Sequence, residues 1–386
     1  MRITTGRIFA LIGFLSLLSV CHAKPQSPKK GTRMIYIGTY TAGKSKGIYL
    51  MRMDTQTGHL SQPELVAEIS NPSFLAIHPS QKYLYAVNED GTFKGENTGA
   101  VTAYAIDSTT GKLTLLNQQA SGGAGPCHIS LDKTGNNALV ANYSSGSVAV
   151  LPIQEDGHLL EASCIVKHTG SSVDKSRQEA PHAHSVWLSP DNRYALSVDL
   201  GVDKVFSYKF NPDAGTIQDS SSVSSAPGAG PRHLAFHPNG RYAYVINELN
   251  NTVTAMTYDA NTGVLKPIES VSSLPKGHKE TSYTSEILVH PNGKFLYGSN
   301  RIHDSIAIFS IDSATGKIKL LGTEPTQGKY PRNFNIDPSG NFLLAANQNG
   351  DSIVAYRVNT TTGLLTPTGQ TLSLQQPACI KFLGTK

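Results

Sequence analysis

The chain has 386 residues, a net charge of +5, only 16% charged residues, 35 glycines and 21 prolines. Low charge with frequent turn formers argues against a coiled coil or a disordered chain and suits a turn-rich all-β protein. No run of Lys or Arg rises above scattered surface charge, so no nucleic-acid partner is expected.

At the N-terminus, Arg2 and Arg7 precede an apolar run from Ile8 to Val20, followed by Cys21-His22-Ala23. A charged start, an apolar middle and a small residue before a cut describe a secretory signal over residues 1–23. The run is too short for an ordinary membrane-spanning helix. Leu18-Ser19-Val20-Cys21 also has the layout of a lipoprotein box, although Val20 is larger than the usual residue before the cysteine. A lipid anchor at Cys21 is therefore the alternative mature start. The expectation is an exported protein, periplasmic or attached to the cell envelope, without a membrane span. Residues 24–33, rich in Lys, Pro and Ser, read as a tether. Cleavage after Ala23 leaves Cys127, Cys164 and Cys379, an odd count that makes no disulfide framework. Buried small hydrophobes are expected, with one pair left open in an oxidising compartment. The absence of Cys-x-x-Cys and His-Glu-x-x-His spacing predicts no metal site, and no other cofactor is expected.

From residue 34 to residue 386 a single unit recurs. Each copy starts at an anchor six residues before a turn dipeptide: Pro72, Pro126, Ala183, Pro231, Thr284 and Pro331. Sixteen residues after each anchor stands Asn88, Asn142, Asp199, Asn247, Asn300 or Asn347. The copy at 230–248 shows the pattern best. Leu234 and Phe236 alternate into His237-Pro238-Asn239-Gly240, and Tyr242 to Ile246 alternate out, which is a β-hairpin. A third strand follows in each unit, at 99–106, 147–153, 204–210, 252–258, 305–311 and 352–358. Turns such as Thr109-Thr110-Gly111-Lys112 and Ala314-Thr315-Gly316-Lys317 then lead to a fourth. Four antiparallel strands per unit of about 40–50 residues is the pattern of a β-propeller blade. The ends supply a seventh copy: 376–382 holds its first strand, and 34–40 and 47–53 its second and third. Pairing of these ends would close the ring and leave no open sheet edge. The expected fold is an all-β, seven-bladed propeller in one domain.

Because paired strands are antiparallel, residues just after each anchor share a rim with residues just after each Asn or Asp. The first set includes Cys127, His184, Arg232, Ser285 and Arg332, then His128, His233, Glu286 and Asn333 one position on. The second set includes Glu89, Tyr143, Glu248 and Arg301. His182 precedes an anchor. Innermost strands line a propeller's channel, so these ionisable groups should ring one mouth of it. His184, Arg232, Glu248 and Arg301 are the expected catalytic set. His128, His182, His233, Glu286, Arg332 and Asn333 are the expected substrate-binding groups. As rim groups they are expected to contribute little to the core. The Asn/Asp column is expected to cap strand ends, and His78, His237 and His290 to serve their turns.

At these residues the chain resembles the lactonase family of seven-bladed β-propellers, which includes propeller-type bacterial 6-phosphogluconolactonases and fungal carboxy-muconate cyclases. The carriers are Tyr36-Ile37-Gly38-Thr39-Tyr40-Thr41, Asn71-Pro72-Ser73-Phe74-Leu75-Ala76, Gly230-Pro231-Arg232-His233-Leu234 and Tyr330-Pro331-Arg332. The resemblance implies a metal-independent site of one His, two Arg and one Glu, matched by His184, Arg232, Arg301 and Glu248. It also implies hydrolysis of a sugar-derived lactone, with a small lactone or carboxylate as the partner. An export signal does not suit cytosolic sugar-phosphate metabolism, so an unphosphorylated lactone is an alternative substrate.

Lactone opening needs an activated water, a stabilised oxyanion and a proton for the leaving oxygen. A carboxylate between guanidinium groups is a weak base. His184 is therefore the expected base, Glu248 its orienter or that of the water, and Arg232 and Arg301 the clamp. Two other classes fit the same rim: a muconate-type cycloisomerase, which shares the transition state, and a non-catalytic binding propeller of the cell envelope.

Overall fold

The computed structural model describes residues 1–2 and 31–384; the secretory signal and most of the tether lie outside the described residues. Seven four-stranded antiparallel sheets make up the described chain. The first sheet holds β1 (Thr32–Thr39), β2 (Gly47–Asp54) and β3 (Glu64–Glu68). The second holds β4 (Leu75–Ile77), β5 (Tyr83–Asn88), β6 (Ala100–Ile106) and β7 (Leu113–Ala120). The third holds β8 (Pro126–Leu131), β9 (Asn137–Asn142), β10 (Ser147–Pro152) and β11 (Cys164–Lys167). The fourth holds β12 (Ala183–Leu188), β13 (Tyr194–Asp199), β14 (Lys204–Asn211) and β15 (Thr216–Ser224). The fifth holds β16 (Pro231–Phe236), β17 (Tyr242–Asn247), β18 (Thr252–Asp259) and β19 (Val264–Ser272). The sixth holds β20 (Tyr283–Val289), β21 (Phe295–Arg301), β22 (Ser305–Ile311) and β23 (Ile318–Pro325). The seventh holds β24 (Pro331–Ile336), β25 (Phe342–Asn347), β26 (Ser352–Val358) and β27 (Leu365–Ser373). The last strand, β28 (Pro377–Leu383), joins the first sheet beside β1, with Ile37 opposite Ile380.

The first strands of the sheets touch in succession, β4 on β8, β12, β16, β20, β24 and β28, and β28 returns to β4. That cycle is a closed ring of seven blades. β1 begins at Thr32, two residues before the expected start, because Thr32 and Arg33 still pair with Asp54 and Met53 of β2. Cores form between blade faces. Leu196, Val198 and Val205 of the fourth blade pack on Leu234, Val245 and Met256 of the fifth. Each such buried aliphatic side chain contributes about 1.5–3 kcal/mol. Gly38 lies where a side chain would strike the Pro72 carbonyl oxygen at 2.1 Å, so only glycine lets β1 lie this close to the next blade.

Polar residues of the repeat join loops and blades. Asn142, Asn300 and Asn347 donate through Nδ2 to the carbonyls of Ser121, Ser273 and Thr326, at 3.0, 3.0 and 3.1 Å. Asp199 does the same work by accepting, from the His182 and Gly201 N–H groups at 2.8 and 2.9 Å. The turn histidines reach further than their own turns. His78, His237 and His290 place Nε2 at 3.0, 2.8 and 2.8 Å from the carbonyls of Gly135, Gly293 and Gly340 in the following blades. Cys127, Cys164 and Cys379 are unpaired thiols. No helix of the described residues is long and apolar enough to cross a membrane.

Candidate active site

The first strands carry an irregularity that sequence periodicity does not reveal. The register slips by one residue between Pro126 and His128, Ala183 and Ser185, Pro231 and His233, and Pro331 and Asn333. Each slip is a β-bulge, and the extra residues are Cys127, His184, Arg232 and Arg332. In a regular strand, neighbours point to opposite faces. Here Arg232 and His233 line one cavity, as do Arg332 and Asn333. The bulges thus feed two tiers of polar side chains into the channel.

The outer tier is built on Glu248. Its backbone N–H donates to the Gly230 carbonyl at 2.6 Å, which fixes the end of β17 against the turn before Pro231. Oε2 accepts from Arg232 Nε at 3.0 Å and is ion-paired with Arg301 Nη2 at 2.7 Å, and Oε1 accepts from Arg177 Nη2 at 2.6 Å. Arg232 also donates through Nη1 to the Ser285 carbonyl at 2.9 Å, and Arg301 through Nη2 to the Thr284 carbonyl at 2.9 Å. Arg301 stacks over Tyr330, 5.1 Å from the ring centre, and Arg332 over Tyr40 at 5.0 Å. Across the channel Glu89 accepts from the Tyr40 hydroxyl at 2.7 Å and from Ser73, and lies 4.0 Å from Arg332.

These contacts set the charge states. Burial works to raise the Glu248 carboxyl, but Arg301, Arg232 and Arg177 outweigh it and hold its pKa down at about 2. Burial, then the neighbouring Arg332 and Arg301, lowers Arg232 to about 10, still a cation at neutral pH. Burial and the surrounding cations push His184 well below its ordinary value, so it is neutral. Its Nδ1 lies 3.7 Å from the Cys127 sulfur, and its ring meets Tyr143 edge-on at 5.4 Å.

The inner tier holds His128, His233, Glu286 and Asn333. His233 Nδ1 lies 2.9 Å from Glu286 Oε1, and Asn333 Nδ2 donates to Glu286 Oε2 at 2.5 Å. His128 is wedged between Phe74 and Trp187, at centroid distances of 4.3 and 4.5 Å. Burial pushes His128 well below its ordinary value. His182 stands apart, stacked on Tyr143 at 4.4 Å with Nε2 3.2 Å from Glu179.

The rim set expected from the repeat is thus divided. Arg232, Glu248 and Arg301 are in direct contact, with Arg332 in the same tier. His128, His233, Glu286 and Asn333 lie deeper, and His182 is held at the edge by its own neighbours. Two expectations are corrected. Glu248 does not contact His184; its two oxygens are engaged by three guanidinium groups. The rim groups are not surface groups, because Arg232 is only 2% exposed and Glu248 3%. Arg177 is a site residue the repeat could not give. It comes from the loop between β11 and β12, which is longer than the equivalent loops of the other units. Its only signal in the sequence is that loop's length. Among the described residues no three His, Cys, Asp or Glu side chains gather as a metal-ligand set.

A family described as lactonase, 7-bladed beta-propeller, matches residues 34–382. A 6-phosphogluconolactonase of Bacillus subtilis is 41% identical over 348 residues, covering 90% of this chain and 97% of that one. The crystal structure of a putative 6-phosphogluconolactonase of Bacteroides fragilis superposes with a TM-score of 0.85 at 38% identity, covering 92% of this chain and 99% of that one. The structure of a periplasmic gluconolactonase of Pseudomonas aeruginosa superposes with a TM-score of 0.86 at 34% identity, again over 92% and 99%.

Proposed function

This chain belongs to the seven-bladed β-propeller lactonases, and from that premise we propose that it hydrolyses a sugar-derived lactone bearing an anionic group, of the 6-phosphogluconolactone type, at the arginine-lined mouth of its channel. One observation carries the reading. In the outer tier four guanidinium groups (Arg177, Arg232, Arg301 and Arg332) face two carboxylates, Glu89 and Glu248. Four against two leaves the outer tier a net charge of +2, which an anionic substrate would offset. Guanidinium forks suit phosphate and carboxylate oxygens. The same groups stabilise negative charge as it develops on the carbonyl oxygen during attack. Neutral His184, beside Tyr143, offers one donor and one acceptor to a substrate hydroxyl or to the ring oxygen.

A lactone panel tests this. With 6-phosphogluconolactone, kcat/KM should exceed that with glucono-δ-lactone by roughly tenfold or more, since a charge-assisted contact contributes about 1.5–3 kcal/mol. Equal values would remove the anionic group from the reading. They would favour a neutral gluconolactone, the substrate class named for the Pseudomonas relative. We also propose that the protein is exported, on the strength of the charged start, the apolar run 8–20 and Ala23. Mass spectrometry of protein from the native host should find a mature chain beginning near Lys24 or at a lipidated Cys21. An intact Met1 would overturn export.

A further inference from the structure

Between the two tiers the channel encloses a cavity of about 10 Å³, lined by Arg232 and Arg332 with His233, Glu286 and Asn333. That is room for about one water. His233 has its Nδ1 on Glu286, while its Nε2 is buried and has no hydrogen-bond partner. An imidazole whose Nδ1–H donates to a carboxylate presents a bare lone pair at Nε2. A buried lone pair left without a donor is costly unless something fills the space beside it.

We propose that this cavity holds the water that opens the lactone, with His233 as its general base and Glu286 as the residue that orients His233. The assignment rests on the reading of the protein as a lactonase. It differs from His184, the base expected from the repeat. A working imidazole base is held in one tautomer by a third group, usually a carboxylate. His233 has that partner at 2.9 Å, whereas His184 Nδ1 faces a thiol at 3.7 Å. Glu286 is itself fixed, by the Ile287 N–H at 3.0 Å and by Asn333, whose Oδ1 accepts from the Ile380 N–H at 2.9 Å. Burial, countered by Glu286 and reinforced by Arg232 and Arg332, brings His233 to about 4, so at neutral pH its lone pair is free.

The step balances. The water oxygen bonds to the lactone carbonyl carbon as the C=O pair moves onto oxygen, which faces Arg232 and Arg332. His233 Nε2 takes the water's proton, and the imidazolium is paired with Glu286. Collapse of the tetrahedral intermediate restores C=O and breaks the ring C–O bond. The departing alkoxide takes the proton back, which yields the hydroxy acid.

A purely structural dyad would also bury these groups, since Glu286 ties together the first strands of the fifth, sixth and seventh blades. A pair of variants separates the two roles. Glu286→Gln alone sets the new amide N–H₂ against the Asn333 N–H₂. Adding Asn333→Asp restores an acceptor there and keeps a carboxylate in the tier, but not on His233. The amide oxygen left by Glu286→Gln still orients His233 there but no longer carries a charge, so if the Glu286 charge supports the imidazolium, the double variant regains the wild-type melting temperature while kcat stays down about 10²-fold with KM within about twofold. His233→Gln should lose kcat to a similar degree. Recovery of kcat together with stability in the double variant overturns the proposal. Loss of activity in His184→Ala alongside that recovery moves the base to His184. A wild type that opens no lactone on the panel removes the lactonase reading and this proposal with it. A crystal structure at high resolution gives an independent check, in which a water within hydrogen-bond distance of His233 Nε2 supports the assignment and a dry cavity refutes it.

Discussion

Glu248→Ala will cost the protein about 3–5 kcal/mol of stability at neutral pH, because it strands Arg177, Arg232 and Arg301 without their common counter-ion. Glu248 is buried with two charge-assisted hydrogen bonds and a third ion pair, so its removal differs from loss of a surface ion pair. The pH dependence has a definite sign. The carboxyl sits at about 2 in the folded protein against an ordinary value of 4.5. Its stabilisation is therefore complete above the ordinary value and is lost as pH falls from there toward 2. The size is about 3 kcal/mol, from roughly 1.4 kcal/mol per pKa unit. Urea unfolding at pH 7 and at pH 3 should show wild type weakening on acidification and Glu248→Gln, already weak at pH 7, changing less. Equal losses in both proteins would mean that other carboxyls dominate acid unfolding.

Arg232→Lys should lower kcat/KM by about 10²–10³-fold, the usual loss when one donor facing developing charge is removed. Lysine keeps the charge but not the fork. Arg232 uses Nε on Glu248 and Nη1 on the Ser285 carbonyl, which aims the rest of the guanidinium at the channel. A lysine ammonium is a single point on a flexible stem and cannot hold both contacts while meeting substrate. Steady-state kinetics on 6-phosphogluconolactone, with a thermal melt as the folding control, decide the matter. A rate within twofold of wild type would take Arg232 out of the reaction.

The blade count could be read from the sequence because every copy is built on one hairpin. The interval from Pro231 to Asn247 recurs from Pro72 to Asn88 and from Pro331 to Asn347, and the two ends supply complementary parts of the last blade. The bulges were hidden for the same reason. The blades that carry the extra residue, such as Arg232 or Arg332, absorb it into the same constant interval, so nothing in the spacing marks it. Plain alternation conflicts with the expected placing of Arg232 and His233 at one mouth, and the bulge is what lets the structure bring both into the channel. The rim positions of Glu248 and Arg301 followed from strand pairing. The engagement of Glu248 did not, because its third partner, Arg177, comes from a loop longer than its equivalents in the other units. The turn histidines were legible as turn residues, but the bond from His237 to Gly293 belongs to the contact between two blades, which one blade's sequence does not describe.

The pairing of β1 with β28 has a consequence for how the chain reaches its native state. β1 is made among the first strands and β28 last, yet Ile35 and Ile37 find their inner neighbours only in Phe382 and Ile380. Until the final segment is available, the edge of β1 stays unpaired, and an unpaired edge invites pairing with other chains. Joining ends so far apart adds little entropy cost beyond that of a shorter loop, since the cost grows only with the logarithm of length. What it adds is delay, because non-local pairing slows folding. The blades from β4 to β27 pair within themselves and can assemble beforehand. Ring closure should therefore be the late, committing step, and the interval before it the period in which the chain is most exposed to aggregation.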